Sequence, residues 1–417
     1  MVDYCGQKSA GCDFRRNSVL RGGLVLADQT IQERNPDRNP ASGMKALQVI
    51  TTVVGTLCSL CLIAVFCFNL VISSGTKETV SQEKVADVAM MDKYDMYVNN
   101  AIADSLDGVL SIEKVYWLSD YDQVAPEPDP AGFGEVSSYE ELVPILKKAE
   151  KLLEGQTLAF TPDRPVWEGD SIHYYYDETI LVITWKEIVN NCVYTVSETK
   201  VAHPSQFRRF LAGGEFGSDK QYVTTEMARS VNAVMASSGD FYGYRKYGAV
   251  VYQGELRRFE GESVDTCYIT EDGDLLFTYR GELESEEEAR QFAKDNNVRF
   301  SLAFGPVLLD GGEIMVPRDY ILGEVNGTFS RAAICQWDKL HYLVVNTSQE
   351  NNYYNRHKVR FFAEFIQELG CKTAYALDGG QTTAIVMNDE LVTLPDYQTQ
   401  RRISDIIYFA TALPDGG

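Results

Sequence analysis

Residues Asp378-Gly379-Gly380-Gln381-Thr382-Thr383 place a carboxylate, two glycines and two hydroxyls directly after a strand-like run, Ala374-Tyr375-Ala376-Leu377. Paired glycines let backbone N–H groups approach a ligand closely, because no Cβ stands between them. Such N–H groups and neighbouring hydroxyls together can hold an anion. A carboxylate at the lip of that turn is placed for acid–base or nucleophilic work. Asp and Gly are also common turn formers, so a plain surface turn is the rival reading.

Three further segments carry residues of the same kind. They are Ser238-Gly239-Asp240-Phe241-Tyr242-Gly243, Ala303-Phe304-Gly305-Pro306-Val307-Leu308 and Ser330-Arg331-Ala332-Ala333-Ile334-Cys335. In order and spacing, the four segments resemble the phosphodiester glycosidase family. That family shows an Asn-Gly-x-(Phe/Tyr)-(Phe/Tyr) segment, a Gly-Pro segment, an Arg-Thr-Ala-Ile-Gly segment and an Asp-Gly-Gly-x-(Ser/Thr)-(Ser/Thr) segment. Here Ser238 stands for Asn, Ala332 for Thr, Cys335 for Gly and Gln381 for Gly. Arg331, Asp378, Gly379 and Gly380 keep the pattern. The resemblance runs over residues 156–413. It implies hydrolysis between the anomeric carbon of a sugar and a phosphodiester, with a glycan or phosphoglycan as substrate.

Hydrolysis at an anomeric carbon passes through an oxocarbenium-like state usually served by two carboxyl groups. A phosphodiester is already a good leaving group, so holding its charge matters more than protonating it. A fixed guanidinium does that with two parallel hydrogen bonds. Arg331 is the candidate for this role, Asp378 for the carboxylate at the sugar, and Asp240 for the second carboxylate. A structural ion pair is the rival reading for Arg331, and a turn for each acid. The substrate-binding set is Gly305, Gly379, Gly380, Thr382, Thr383 and Arg401. Solvated surface charge is the rival for Arg401, a strand start for the threonines. Phe241, Tyr242 and Tyr244 form a candidate sugar-stacking platform, although such rings are more often core.

The chain of 417 residues is 45% hydrophobic and carries a net charge of −22. That charge argues against nucleic-acid binding, which needs a basic footprint. With four His and no paired C-x-x-C motifs, neither a metal site nor a cofactor is expected.

Positioning these residues falls to elements spread along the chain. Residues 1–45 are polar and read as a disordered cytoplasmic tail. Residues 46–72 are apolar and uncharged, longer than the roughly 20 residues that cross a bilayer, and read as an uncleaved signal anchor. Arg34, Arg38 and Lys45 beside it favour the N-terminus inside, giving a single-pass type II cell-membrane protein with its domain outside. Residues 73–155 read as a membrane-proximal helical stalk and linker. Within them, residues 83–110 have the spacing of an amphipathic helix, either a self-association seam or a packing face. Ser138 to Glu141 form a capping box opening a helix to about Leu153, either the first piece of the outer domain or part of the stalk.

Residues 156–417 read as one α+β domain with a mixed sheet. Strands are expected over 172–188, 193–201, 299–304, 340–345, 371–377 and 406–409. Helices are expected over 285–295 and 358–369, with Gly370 ending the second. Asp272-Gly273 suggests a hairpin. Cys192, Cys267, Cys335 and Cys371 allow three disulfide pairings, and free thiols are equally consistent. The function expected is a membrane-anchored glycosidase acting on cell-envelope or exopolysaccharide material. A non-catalytic envelope glycan-binding or scaffold protein is the alternative.

Overall fold

Runs of β-branched and aromatic residues set up the central sheet. Ile180–Val189 and Cys192–Val201 form two long strands. Asn190 and Asn191, both at positive φ (47° and 64°), close the two-residue turn between them, a conformation that Asn tolerates better than most residues. A computed structural model describes residues 124–261, 263–318, 320, 325–350 and 353–413. The expected tail, the 46–72 anchor and the 83–110 helix lie outside the described residues. Among the described residues no helix is long and apolar enough to cross a membrane.

Nine strands form the main sheet, in the order Phe133–Val136, Ile172–Tyr176, Ile180–Val189, Cys192–Val201, His341–Ser348, Ala332–Asp338, Thr373–Leu377, Val307–Asp310 and Glu313–Ile314. Each neighbouring pair is antiparallel. Side chains alternate between faces along a strand. Here both faces are buried. Leu343, Val345, Ala333, Cys335, Ala374 and Ala376 pack toward the helices Tyr139–Lys148 and Val359–Glu368. Their neighbours Tyr342, Val344, Ile334, Tyr375 and Leu377 pack toward two smaller sheets. One has five strands, Glu390–Leu391, Ile385–Met387, Met235–Ser238, Asp405–Phe409 and Phe207–Leu211. The other has three, Leu275–Thr278, Thr266–Thr270 and Val298–Leu302. The result is a sheet-dominated α+β body with few helices, built from several antiparallel sheets rather than the one mixed sheet expected.

Most expected elements are present. Ser285 caps Glu286–Asp295 by accepting from the Glu288 N–H. Val359–Glu368 ends before Gly370, at φ 96°. Gly273, at φ 81°, turns the hairpin between the strands Thr266–Thr270 and Leu275–Thr278. The expected boundary at residue 156 does not match the packing. Phe133–Val136 is an edge strand of the main sheet, and Leu142, Leu152 and Leu153 belong to its helix-side core. Residues 133–153 are therefore part of this body. Prolines 126, 128 and 130 obscured this, because a short edge strand follows directly after them. Cys192, Cys267, Cys335 and Cys371 are buried free thiols.

Candidate active site

Antiparallel pairing brings three distant segments to one place. The strand Thr373–Leu377 ends at Asp378. On one side its register sets Leu377 opposite Ala332, so the residue before that strand, Arg331, falls beside Asp378. On the other side Val307 pairs with Tyr375, which brings Gly305 and Pro306 to the same end. A cavity of about 270 Å³ opens there. Gly305, Pro306, Phe329, Ser330, Arg331, Asp378, Gly379 and Gly380 line it, with Val359 and Phe362 of the covering helix.

The Asp-Gly-Gly turn is held by its own backbone and hydroxyls. The Gly380 N–H donates to the Ser330 carbonyl at 2.9 Å. A Cβ at Gly379 would collide with that same carbonyl oxygen. Gly380 has φ 69°, where glycine is least strained. The Thr382 hydroxyl donates to the Gly379 carbonyl and the Thr383 hydroxyl to the Gly380 carbonyl, each at 2.8 Å. Both threonines are buried, and neither is among the residues lining the cavity. The expected anion cradle of glycine N–H groups and threonine hydroxyls is thus largely spent on shaping the turn.

Several contacts aim Arg331. Its backbone N–H donates to the Thr347 hydroxyl at 2.7 Å, and its carbonyl accepts from the Thr347 N–H at 2.8 Å. Its guanidinium donates to the carbonyls of Gly327 (2.6 Å) and His357 (3.5 Å) and lies 5.3 Å from the Phe329 ring centre. These contacts fix its direction.

Asp378 accepts from the Arg401 guanidinium at 2.7 Å. Arg401 remains 41% exposed in its side chain and covers the Phe241 ring at 4.9 Å. It is therefore neither plain surface charge nor an open phosphate ligand, but the partner of the candidate acid.

Asp240 does not fit the role expected of it. Its side chain is fully buried and paired with Arg209 at 2.7 Å. It also accepts from the N–H groups of Tyr242 (2.8 Å) and Ala303 (2.7 Å). It is absent from the cavity lining, and its oxygens are taken up inside the fold.

Asp405, also fully buried, meets the same guanidinium at 2.9 Å. Two acids around one guanidinium leave one surplus negative charge, which favours uptake of a proton. Burial pushes the Asp405 carboxyl up to about 8, against the opposing effect of Arg209 and with that of Asp240. Burial alone would weaken the charge on Arg209, yet Asp240 and Asp405 raise its affinity for the proton overall.

Neither Arg209 nor Asp405 stood out in the sequence. The usable signal was charge inside wholly buried strands, Phe207–Leu211 and Asp405–Phe409.

The Asp240 segment still reaches the site through its backbone. The Asp378 N–H donates to the Gly239 carbonyl at 3.2 Å, and the Ser238 hydroxyl donates to the Asp378 carbonyl at 3.2 Å. A Cβ at Gly239 would collide with the Asp405 carboxylate. The buried ion cluster thus backs the turn that carries Asp378. Among the described residues no three His, Cys, Asp or Glu side chains converge as a metal site.

Residues 231–410 match the family model described as phosphodiester glycosidase. The match contains all four sequence segments, while Arg209 lies outside it. Three solved structures are similar at low identity. The catalytic domain of zebrafish N-acetylglucosamine-1-phosphodiester alpha-N-acetylglucosaminidase, auto-inhibited by its pro-peptide, is 15% identical, with 72% of this chain and 96% of that one covered and a TM-score of 0.44. A hypothetical protein from Synechocystis is 15% identical, with 56% and 62% covered and a TM-score of 0.40; this chain thus spans less than two thirds of it. A protein from Burkholderia pseudomallei described as exported is 12% identical, with 53% and 74% covered and a TM-score of 0.35. No curated protein matches the chain.

Proposed function

We propose that this chain, whose residues 231–410 match the phosphodiester glycosidase family, hydrolyses a sugar-1-phosphodiester bond. Its setting is the outer face of a cell membrane, and its substrate lies in cell-envelope or exopolysaccharide material. The observation that carries the reading is the cavity shared by Arg331 and the Asp378-Gly379-Gly380 turn, residues about 50 positions apart in the chain. The apolar run 46–72, with Arg34, Arg38 and Lys45 before it, supports the outward orientation.

In this reading the sugar-1-phosphodiester enters the cavity with its phosphate toward Arg331. Water adds to the anomeric carbon as the bond from that carbon to the phosphate oxygen breaks. The bonding pair leaves with the phosphate, now a monoester, and Asp378 takes the proton released by the water. Asp378 also stabilises the positive charge that develops on the sugar ring. The guanidinium of Arg331 stabilises the departing negative charge from a fixed position, which is where such donors act most strongly. With so good a leaving group, one carboxylate in the cavity suffices.

The Arg401 bridge favours a second reading, a glycan-binding protein without turnover, because it ties up the one acid lining the cavity among the described residues. Incubating the full chain with glucose-1-phosphate methyl diester separates the two. Release of free glucose is expected, with a loss of about a hundredfold or more in Arg331→Ala. Binding with no glucose released after long incubation would sink the hydrolase reading.

A further inference from the structure

Two residues of the cavity wall, Ser330 and Gly380, meet a buried carboxylate that the chemistry above does not use. Asp396 accepts from the Ser330 hydroxyl at 2.6 Å through Oδ1 and meets the Arg356 guanidinium at 3.0 Å through Oδ2. Both partners lead to Arg331. Ser330 is the residue before it in the chain. Arg356 precedes His357, whose carbonyl accepts from the Arg331 guanidinium at 3.5 Å. The contacts close a ring from Ser330 and Arg331 through His357 and Arg356 to Asp396 and back. The ring also touches the acid's side of the cavity. The Ser330 carbonyl accepts from the Gly380 N–H at 2.9 Å, and a Cβ on Gly380 would stand 3.9 Å from the Asp396 carboxylate. The loop that carries Asp396 continues to Arg401, the partner of Asp378.

That loop is held against its own preferences. Tyr397 and Gln398, directly after Asp396, have φ of 60° and 55°, a left-handed backbone that non-glycine residues adopt at a cost. Such strain persists where the surroundings over-determine it, and it gathers at working sites. A hydroxyl donating to a carboxylate is among the stronger hydrogen bonds, so Asp396 is a firm anchor for Ser330. Thr347 already holds the Arg331 main chain from the neighbouring strand; Asp396 holds it from the loop.

We infer that Asp396 is a positioning residue of this site, which clamps Ser330 and the Arg356-His357 segment and so sets the Arg331 guanidinium against the Asp378 turn. The inference rests on the hydrolase reading for the reaction served, while the clamp is a matter of geometry. A group that meets developing charge must be fixed in place, and a displacement of about 1 Å costs on the order of a hundredfold in rate. An acid that only stabilised the fold would change the amount of folded protein and leave each folded molecule as active as before.

The test is a double-mutant cycle on glucose release from glucose-1-phosphate methyl diester, with the folded fraction taken from urea unfolding. Asp396→Asn should lower kcat/KM about tenfold or more in the wild-type background. In the Arg331→Ala background the same change should cost less than about twofold, because the group it positions is gone. Equal losses in the two backgrounds, or no loss in the first, would overturn the clamp. Ser330→Ala leaves the Asp396–Arg356 pair in place and serves if Asp396→Asn does not fold. It should show the same dependence on Arg331, and a Ser330→Ala protein as active as wild type would overturn the clamp. Should wild type release no glucose, the hydrolase reading falls and the clamp is read by calorimetry with inorganic phosphate. Binding about fivefold weaker in Asp396→Asn than in wild type would then keep the clamp. Equal affinities, or no phosphate binding by wild type, would remove it as well.

Discussion

Two arginine–carboxylate systems lie on opposite sides of the Asp378 turn, and they differ chiefly in access to water. Behind the turn, Arg209 is sealed with Asp240 and Asp405, all with fully buried side chains. In front, Arg401 reaches Asp378 with 41% of its side chain exposed. The contact distance is the same, 2.7 Å for both Arg209–Asp240 and Arg401–Asp378. A charge pair sealed from water cannot lose one member cheaply, because the other is left uncompensated in a poorly polarisable interior. A pair open to water can part and re-form, and its acid can be offered to a substrate. Identical residue types therefore serve as scaffold on one side of the turn and as candidate chemistry on the other.

Cutting each system once gives the largest expected contrast. Asp240→Ala leaves Asp405 facing Arg209 but strands the buried N–H groups of Tyr242 and Ala303, and should destabilise the fold by about 2–5 kcal/mol, read as a shift in urea unfolding. Asp378→Asn should cost clearly less than that, because Arg401 stays 41% exposed and can be rehydrated although Asp378 itself is only 12% exposed. The same Asp378→Asn variant should lower sugar release by at least about a hundredfold. A stable Asp240→Ala protein would show that the rear cluster is not the scaffold. A fully active Asp378→Asn protein would remove the front acid from the mechanism.

The sequence revealed the front of this arrangement better than the rear. Asp378-Gly379-Gly380 announces itself through its glycines, and Arg331 through its place before a strand. The strand alternation that brings them together could be read locally, because each strand is a run of β-branched and aromatic residues. Asp240 was legible as a charged residue near glycines, but not its direction. That depends on Arg209 and Asp405, which are 31 residues before it and 165 after it. Local spacing says nothing about contacts closed over such distances. Likewise, Thr382 and Thr383 have the composition of an anion cradle, and only the turn geometry shows their hydroxyls folded back onto their own carbonyls. The edge strand Phe133–Val136 was missed for a similar reason. Phe133–Val136 finds its partner, Ile172–Tyr176, about 40 residues further on.

The proton on the rear cluster sharpens the contrast at intermediate size. An ordinary carboxyl in the unfolded chain releases its proton near pH ~4, whereas Asp405 in the fold is pushed up to about 8 by burial and, secondarily, by Asp240. Its folded affinity for the proton exceeds its unfolded one. The associated stability is therefore complete below the unfolded value and is lost as pH rises through the folded one. Urea midpoints for the wild type should fall between pH 5 and pH 8.5 (chosen to bracket the rise to about 8). Asp405→Asn mimics the protonated acid and should flatten that slope. A slope unchanged in the variant would mean that another group carries the proton.

The smallest effect is expected where a pair has similar geometry but little burial. Arg229 meets Asp389 at 3.0 Å, with 58% and 47% of the two side chains exposed. Water screens both charges, and holding two long side chains together costs rotamer freedom, so exposed pairs contribute little. Arg229→Ala should shift stability by no more than about 0.5 kcal/mol and leave sugar release unchanged, since Arg229 is absent from the cavity wall. Urea unfolding and the glucose-release assay, run beside Asp240→Ala, check this directly. If Arg229→Ala were as damaging as Asp240→Ala, access to water would not be what separates scaffold pairs from the Arg401–Asp378 pair, and the distinction between the two sides of the turn would fail.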